Sequence, residues 1–182
     1  MSVTLREIRE TDLENIMRWR MDPDITRYMN TDPKLTLEGQ KKWLASIDSN
    51  SDVRYWIILI DGQEAGVINL TGLTREDGIL GWAYYIGEKK LRSLKTALSL
   101  EMSLYDYIFD NLCKNALISD VFTLNKGVIQ LHLLCGCEIT EEKKSYVSKG
   151  GQAYDVTFLR MTKERWQQVR ATKKYDRISY EI

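Results

Sequence analysis

Hydrophobic and polar positions change period several times along this chain, and each change marks a candidate element. Residues 2 to 9 alternate as a half-buried strand does. In "TDLENIMRWR", Thr11 and Glu14 have capping-box spacing, and Leu13, Ile16 and Met17 form a helical stripe. Pro23 and Pro33 punctuate the next segment. Thr36 is placed to cap a second helix, with Leu37, Trp43, Leu44 and Ile47 for its buried side. The period then drops to two. "RYWIILI" and "QEAGVINL" flank Asp61-Gly62, which predicts a hairpin, and "GILGWAYYI" is a third strand-like run.

Leu100, Leu104, Ile108 and Leu112 recur every fourth residue, one face of a helix from about Thr96 to Asn111. "ALISDVFTL" reads as a strand. Asn125 is placed to cap a helix through about Leu134, with Gly136 to end it. "EEKKSYVSKGGQAYDVTFLRM" reads as a hairpin around Gly150-Gly151, and Thr162 caps a last helix, "KERWQQVRATKK", before a short tail. The predicted order is β-α-α-β-β-β-α-β-α-β-β-(α). It describes one α+β domain with a mixed, mainly antiparallel sheet of about seven strands. The strand–helix–strand unit over 79–124 should be a right-handed parallel crossover.

Composition narrows the function. A chain of 182 residues suits one domain. Lys+Arg and Asp+Glu both number 26, which argues against nucleic acid as the main partner. No apolar run approaches the ~20 residues of a membrane helix, and the polar start "MSVTLREIRE" is unlike a signal peptide. Cys113, Cys135 and Cys137 are an odd set without an export signal, so free thiols in a reducing cytoplasm are expected. "CGC" and a single histidine fall short of an ordinary metal site, so no metal is expected.

Between a strand and a helix stands "GEKKLRSLKTALSLEM", residues 87–102. A phosphate-binding turn belongs at such a place, because backbone N–H groups meet a helix N-terminus there. Such turns are usually glycine-rich, yet none stands between Arg92 and Ala97. A solvated basic turn is the alternative.

The element order, "YYIGEKKLRSLKTAL" and "LNKGVIQLHLLCGCEI" together resemble the GNAT superfamily of acyl-CoA-dependent N-acyltransferases. The second stretch is similar to its "N-x-x-A-I-x-L-Y-x-x-x-G-F". Asn125, Ile129, Leu131 and Gly136 match, while Val128, His132 and Cys137 replace Ala, Tyr and Phe. Over about residues 4–160 the chain most resembles the UDP-4-amino-sugar N-acetyltransferases of pseudaminic acid biosynthesis. "MRWRMDPDITRYMNTD" looks like their "R-N-(D/H)-P…M" segment, "RYWIILIDGQEAGVINLT" like their central hairpin, and "YVSKGGQAYDVTFLRM" like their "G-x-x-x-K-(x)n-D-V" ending.

That resemblance implies an acetyltransferase domain over 1–164 with a helical extension over 165–182. It implies acetyl-CoA as co-substrate and a UDP-linked amino sugar as acceptor, with a homodimer as one oligomeric option. A backbone N–H near Tyr85 or Ile86 would face the developing oxyanion. The pyrophosphate would lie on Arg92, Ser93, Leu94, Lys95, Thr96 and Ala97, with Asn125 beside the cofactor. Arg92 and Ala97 fit the family's "Q/R-x-x-G-x-G/A", whereas Ser93 and Lys95 depart from it. Backbone amides still bind phosphate there, with Ser93 adding a hydroxyl and Lys95 a charge.

His132 falls where the superfamily often has a tyrosine that protonates the leaving thiolate. It is a candidate acid, a sulfur-positioning group or a structural histidine. Asp120 is a candidate general base, or an outward-facing solvated residue. Arg20, Tyr28, Met29 and Asn30 fall in the acceptor-binding segment. Arg20 suits a diphosphate, or equally the dipole at a helix end. Gln40 stands where a related protein has histidine. Trp43 fits core or pocket wall better than a stacking platform. Tyr84 and Tyr85 alternate, so one should face the cleft and the other the core. Lys149 can reach acceptor phosphates or stay solvated. Two other readings remain: acetylation of a protein N-terminus or polyamine, and a CoA-binding module without catalysis.

Overall fold

The structure is a computed structural model describing residues 2–181. Eight strands form a single sheet in the order β6-β7-β5-β4-β3-β2-β1-β8. They are β1 (Val3–Glu7), β2 (Val53–Ile60), β3 (Gln63–Thr71), β4 (Ile79–Ile86), β5 (Ala116–Phe122), β6 (Glu138–Lys149), β7 (Gln152–Thr162) and β8 (Ser179–Glu181). The helices are α1 (Leu13–Arg20), α2 (Pro23–Thr26), α3 (Leu37–Asp48), α4 (Leu94–Asp106), α5 (Lys126–Cys135) and α6 (Lys163–Val169). Pairing is antiparallel except for β4–β5 and β1–β8. The α+β class and mainly antiparallel sheet stand as expected.

Strand alternation gives the sheet two apolar faces. Trp56, Ile58, Leu80, Trp82 and Leu117 pack under α4, α5 and Trp166 of α6. Ile57 and Val67 pack on the other face with Leu13, Ile16, Trp19 and Leu44 of α1 and α3. Both Asp61 (φ 48°) and Gly62 (φ 77°) turn the β2–β3 hairpin with positive φ, as a two-residue turn requires. Thr36 caps α3 by accepting the Gly39 N–H at 3.2 Å.

Several details differ from expectation. The Thr11–Glu14 pair does not start α1. Buried Asp12 does, held by Arg6 at 2.9 and 3.0 Å and by the Arg9 N–H at 2.7 Å. A tertiary ion pair outranks a local cap here. Short α2 was not foreseen; Pro23 opens it after Asp22, whose carboxylate accepts the Asp24 N–H at 2.9 Å. The side chain of Asn125 makes no cap on α5. The last helix was expected over 163–174 but ends at Val169. The chain then runs to an eighth strand beside β1, where Tyr180 stacks on Tyr107 with ring centres 4.7 Å apart. Three strand residues carry too little period to announce themselves, and their partner lies at the opposite end of the chain.

Candidate active site

The parallel ladder between β4 and β5 stops at Gly81–Ile118, although β4 runs on to Ile86 and β5 to Phe122. The two strands therefore separate, leaving Trp82–Ile86 facing Ser119–Phe122 across a gap. A cavity of about 810 Å³ occupies it and extends beneath the segment after α1.

Two glycines shape the rim. A Cβ on Gly66 would lie 1.9 Å from the carbonyl oxygen of Tyr85, so β3 can pair with the end of β4 in this way only with glycine at that position. A Cβ on Gly87 would meet the Trp19 ring at 2.2 Å. That buried tryptophan packs edge-on to Tyr85 and donates from Nε1 to Glu88 at 3.0 Å. The Arg92 Nε donates to the Ile86 carbonyl at 2.8 Å, tying the turn to the strand end.

Tyr84 and Tyr85 point to opposite faces, one against the α4–α5 layer and the other against α1 and α3. Yet both line the cavity. The expectation that only one would do so fails because the open ladder lets the cavity pass through the sheet. Tyr85 Oη is buried and has no hydrogen-bond partner. Burial pushes both phenols well above their ordinary range. They stay protonated donors, and an orphaned donor fronting a cavity fits a polar ligand.

The glycine-poor turn ends in a helix N-terminus. Ser93 is the cap of α4, and its hydroxyl accepts the Thr96 N–H at 3.0 Å. The helix begins two residues before the expected Thr96, at Leu94, because Ser93 supplies the cap. Its geometry leaves the Leu94 and Lys95 amides without intrahelical acceptors. Arg92, Ser93 and Ala97 line the cavity. Thr96 is buried with its hydroxyl 2.7 Å from that of Ser93. The Lys95 side chain turns away, pairing with Asp176 at 2.8 Å beside a second cavity under the C-terminal segment. Of the turn's two cations, Arg92 thus lines the main cavity and Lys95 does not.

On the α4–α5 side His132 lines the cavity at 4% exposure, with Trp82 beside it. Its Nδ1 lies 2.9 Å from both oxygens of Glu101, a fully buried carboxylate that sequence reasoning passed over. Tyr105 donates to the same carboxylate and lies 3.0 Å from Cys137 Sγ. Burial pushes the Cys137 thiol up to about 12 and Cys135 further, so both are neutral space-fillers. Among the described residues no acid, histidine and cysteine cluster could hold a metal. The signal for Glu101 was a lone acid in the largely apolar run "ALSLEMSLY".

Asp120 is exposed and lines the cavity beside the gap. Across from it stand Arg20, Tyr28, Met29, Asn30 and Trp43, with Gln40 and Asn125 also in the wall. Arg20 donates to Met29 Sδ and to Thr31 at 3.4 Å, and Trp43 packs edge-on to Tyr55. Lys149 is not in the wall. It donates to the Thr26 carbonyl at 2.5 Å and pairs with Asp32 at 2.8 Å, pinning the β6–β7 hairpin to α2. The expected residues otherwise converge, except Leu94, Lys95 and Thr96, which lie just behind the rim.

Comparison with known proteins matches this architecture. The acetyltransferase (GNAT) domain matches residues 2–138. The acetyltransferase PseH of Campylobacter jejuni strain 81-176 is 26% identical over 140 residues, covering 77% of this chain and 85% of that protein. PseH of strain NCTC 11168 is 25% identical over the same shares. In fold, the chain is similar to a Vibrio cholerae spermidine N-acetyltransferase solved with CoA and spermine. The TM-score is 0.84 at 16% identity, over 91% of this chain and 98% of that one. The chain belongs to the GNAT acetyltransferase family and is an acetyl-CoA-dependent N-acetyltransferase.

Proposed function

We propose that this enzyme acetylates the 4-amino group of a UDP-linked dideoxy-amino sugar, as in pseudaminic-acid-type sugar biosynthesis. The observation that carries the reading is the charge of the acceptor side. On that side Arg20 and Arg27 line the cavity against Asp24 and Asp120, with Arg92 at the cofactor turn. Asp24 is already paired with Lys89, which holds its carboxyl below the ordinary range. The net field is positive, which suits a diphosphate and opposes a polyamine. The resemblance to PseH points the same way.

Acetyl-CoA supplies a thioester carbonyl open to attack by an amine. The Leu94 and Lys95 amides at the α4 N-terminus hold its pyrophosphate. The β4 edge from Tyr85 to Ile86 lies where the ladder is open and offers a backbone N–H to the carbonyl oxygen. Asp120 takes a proton from the acceptor ammonium, through water. As the carbon–sulfur bond breaks, His132 gives a proton to the sulfur, and the second proton of the attacking nitrogen leaves to water.

The test is thiol release from acetyl-CoA with a UDP-4-amino sugar and, separately, with spermidine, followed by product mass. Release with the sugar nucleotide and an added acetyl group is expected. Release with spermidine alone would replace this reading by the polyamine one. Acetyl-CoA binding without release across an amine panel would leave a non-catalytic module.

A further inference from the structure

Buried between α4 and α5 is a pair of groups that the acceptor chemistry leaves unexplained. Both Glu101 oxygens lie 2.9 Å from Nδ1 of His132, and the carboxylate is fully buried. The side chains whose titration it perturbs, Tyr84, Tyr105, Cys135 and Cys137, are all kept neutral by burial. Tyr105 of α4 donates its hydroxyl to Glu101. A carboxylate facing the Nδ1 lone pair from two oxygens would be repelled by it. Facing an Nδ1–H it is satisfied twice.

We propose that Glu101 is the positioning residue for His132: it keeps one ring proton on Nδ1, so that Nε2 is the nitrogen that gives and regains protons at the cavity. The inference deepens the acid role given to His132 above and rests on that reading for its kinetic consequence only. During transfer the Nε2 proton passes to the sulfur as the carbon–sulfur bond breaks. The ring is left neutral with Nδ1–H still on Glu101, and Nε2 is recharged from solvent. Without the carboxylate, the neutral ring is free to place its proton on Nε2 and turn its acceptor lone pair inward.

The chain has one histidine, so ring-nitrogen NMR of tag-free, nitrogen-15-labelled protein gives one assigned imidazole. In the neutral state the wild type should show a protonated Nδ1 and an unprotonated Nε2. A neutral ring protonated on Nε2 overturns the proposal. Glu101→Gln should move that proton toward Nε2. It should also lower kcat about 100-fold, with the KM for acetyl-CoA changed less than about 3-fold. Wild-type tautomer and kcat in a folded Glu101→Gln protein would overturn it equally. If that variant does not fold, the wild-type spectrum still decides. If no amine is acetylated but Nδ1 carries the proton, the functional reading fails and the pairing stands.

Discussion

Replacing Leu94 by proline isolates one backbone amide. Leu94 is the first residue of α4 and 60% exposed. Proline fits a first helical position, since the N–H it lacks has no intrahelical partner. It also wants an extended residue before it, and Ser93 has φ −149° and ψ 152°. The exposed leucine forfeits only a fraction of the ~1.5–3 kcal/mol of a buried one. The stiffer unfolded chain returns about 0.4–1 kcal/mol. Stability should therefore stay near wild type, with Tm moving by less than about 4 °C. The amide, if it donates to a pyrophosphate oxygen, makes a charge-assisted bond of ~1.5–3 kcal/mol. At ~1.4 kcal/mol per decade, acetyl-CoA should bind about 10- to 150-fold more weakly by titration calorimetry. Lys95→Ala is the control. Its ammonium pairs with Asp176 at 2.8 Å, away from the cavity, so it should weaken binding less than Leu94→Pro. A folded Leu94→Pro protein with wild-type Kd refutes the pyrophosphate placement. A larger loss in Lys95→Ala would mean that charge, not the helix terminus, holds the cofactor.

Gly66→Ala would put a methyl 1.9 Å from the Tyr85 carbonyl oxygen and 2.9 Å from Ile86 Cα. Displacing the end of β4 should cost about 1–3 kcal/mol in a urea titration and lower turnover; an unchanged midpoint refutes the close approach. Asp77 is held at about 2 rather than 3.8, first by the Arg75 side chain and then by the Ile79 N–H. A depressed carboxylate contributes stability above its unfolded value that disappears as pH falls toward the folded one. The wild type should thus lose Tm relative to Asp77→Asn as pH drops from 3.8 to about 2, and parallel curves across that window count against the ion pair. Asp120→Asn should cut kcat/KM about 100-fold and alter its pH profile; an unaltered profile removes Asp120 as the base.

What could be read from sequence, and what could not, divides by the range of the interaction. Periodicity and turn chemistry are local, so the hairpin at Asp61-Gly62, the cap at Thr36 and the left-handed Gly136 were legible. The start of α1 was not, because Asp12 is fixed by an ion pair with Arg6 of β1 rather than by a cap at Thr11. Sequence could mark His132 by its place in a motif. It could not mark Glu101, which meets it across 31 residues and a change of helix. The same distinction governs charge. Counted along the chain, Arg20, Arg27 and Lys34 balance Asp22, Asp24 and Asp32. In the fold, Asp24 and Asp32 are each spoken for by lysines from elsewhere, Lys89 and Lys149. Asp22, Asp32 and Lys34 also leave the cavity wall, while Arg92 joins it. A balanced segment thus becomes a positively biased site. Specificity for an anionic acceptor would then depend on Lys89 and Lys149, neither of which lines the cavity. Each neutralises an acid that would otherwise cancel an arginine.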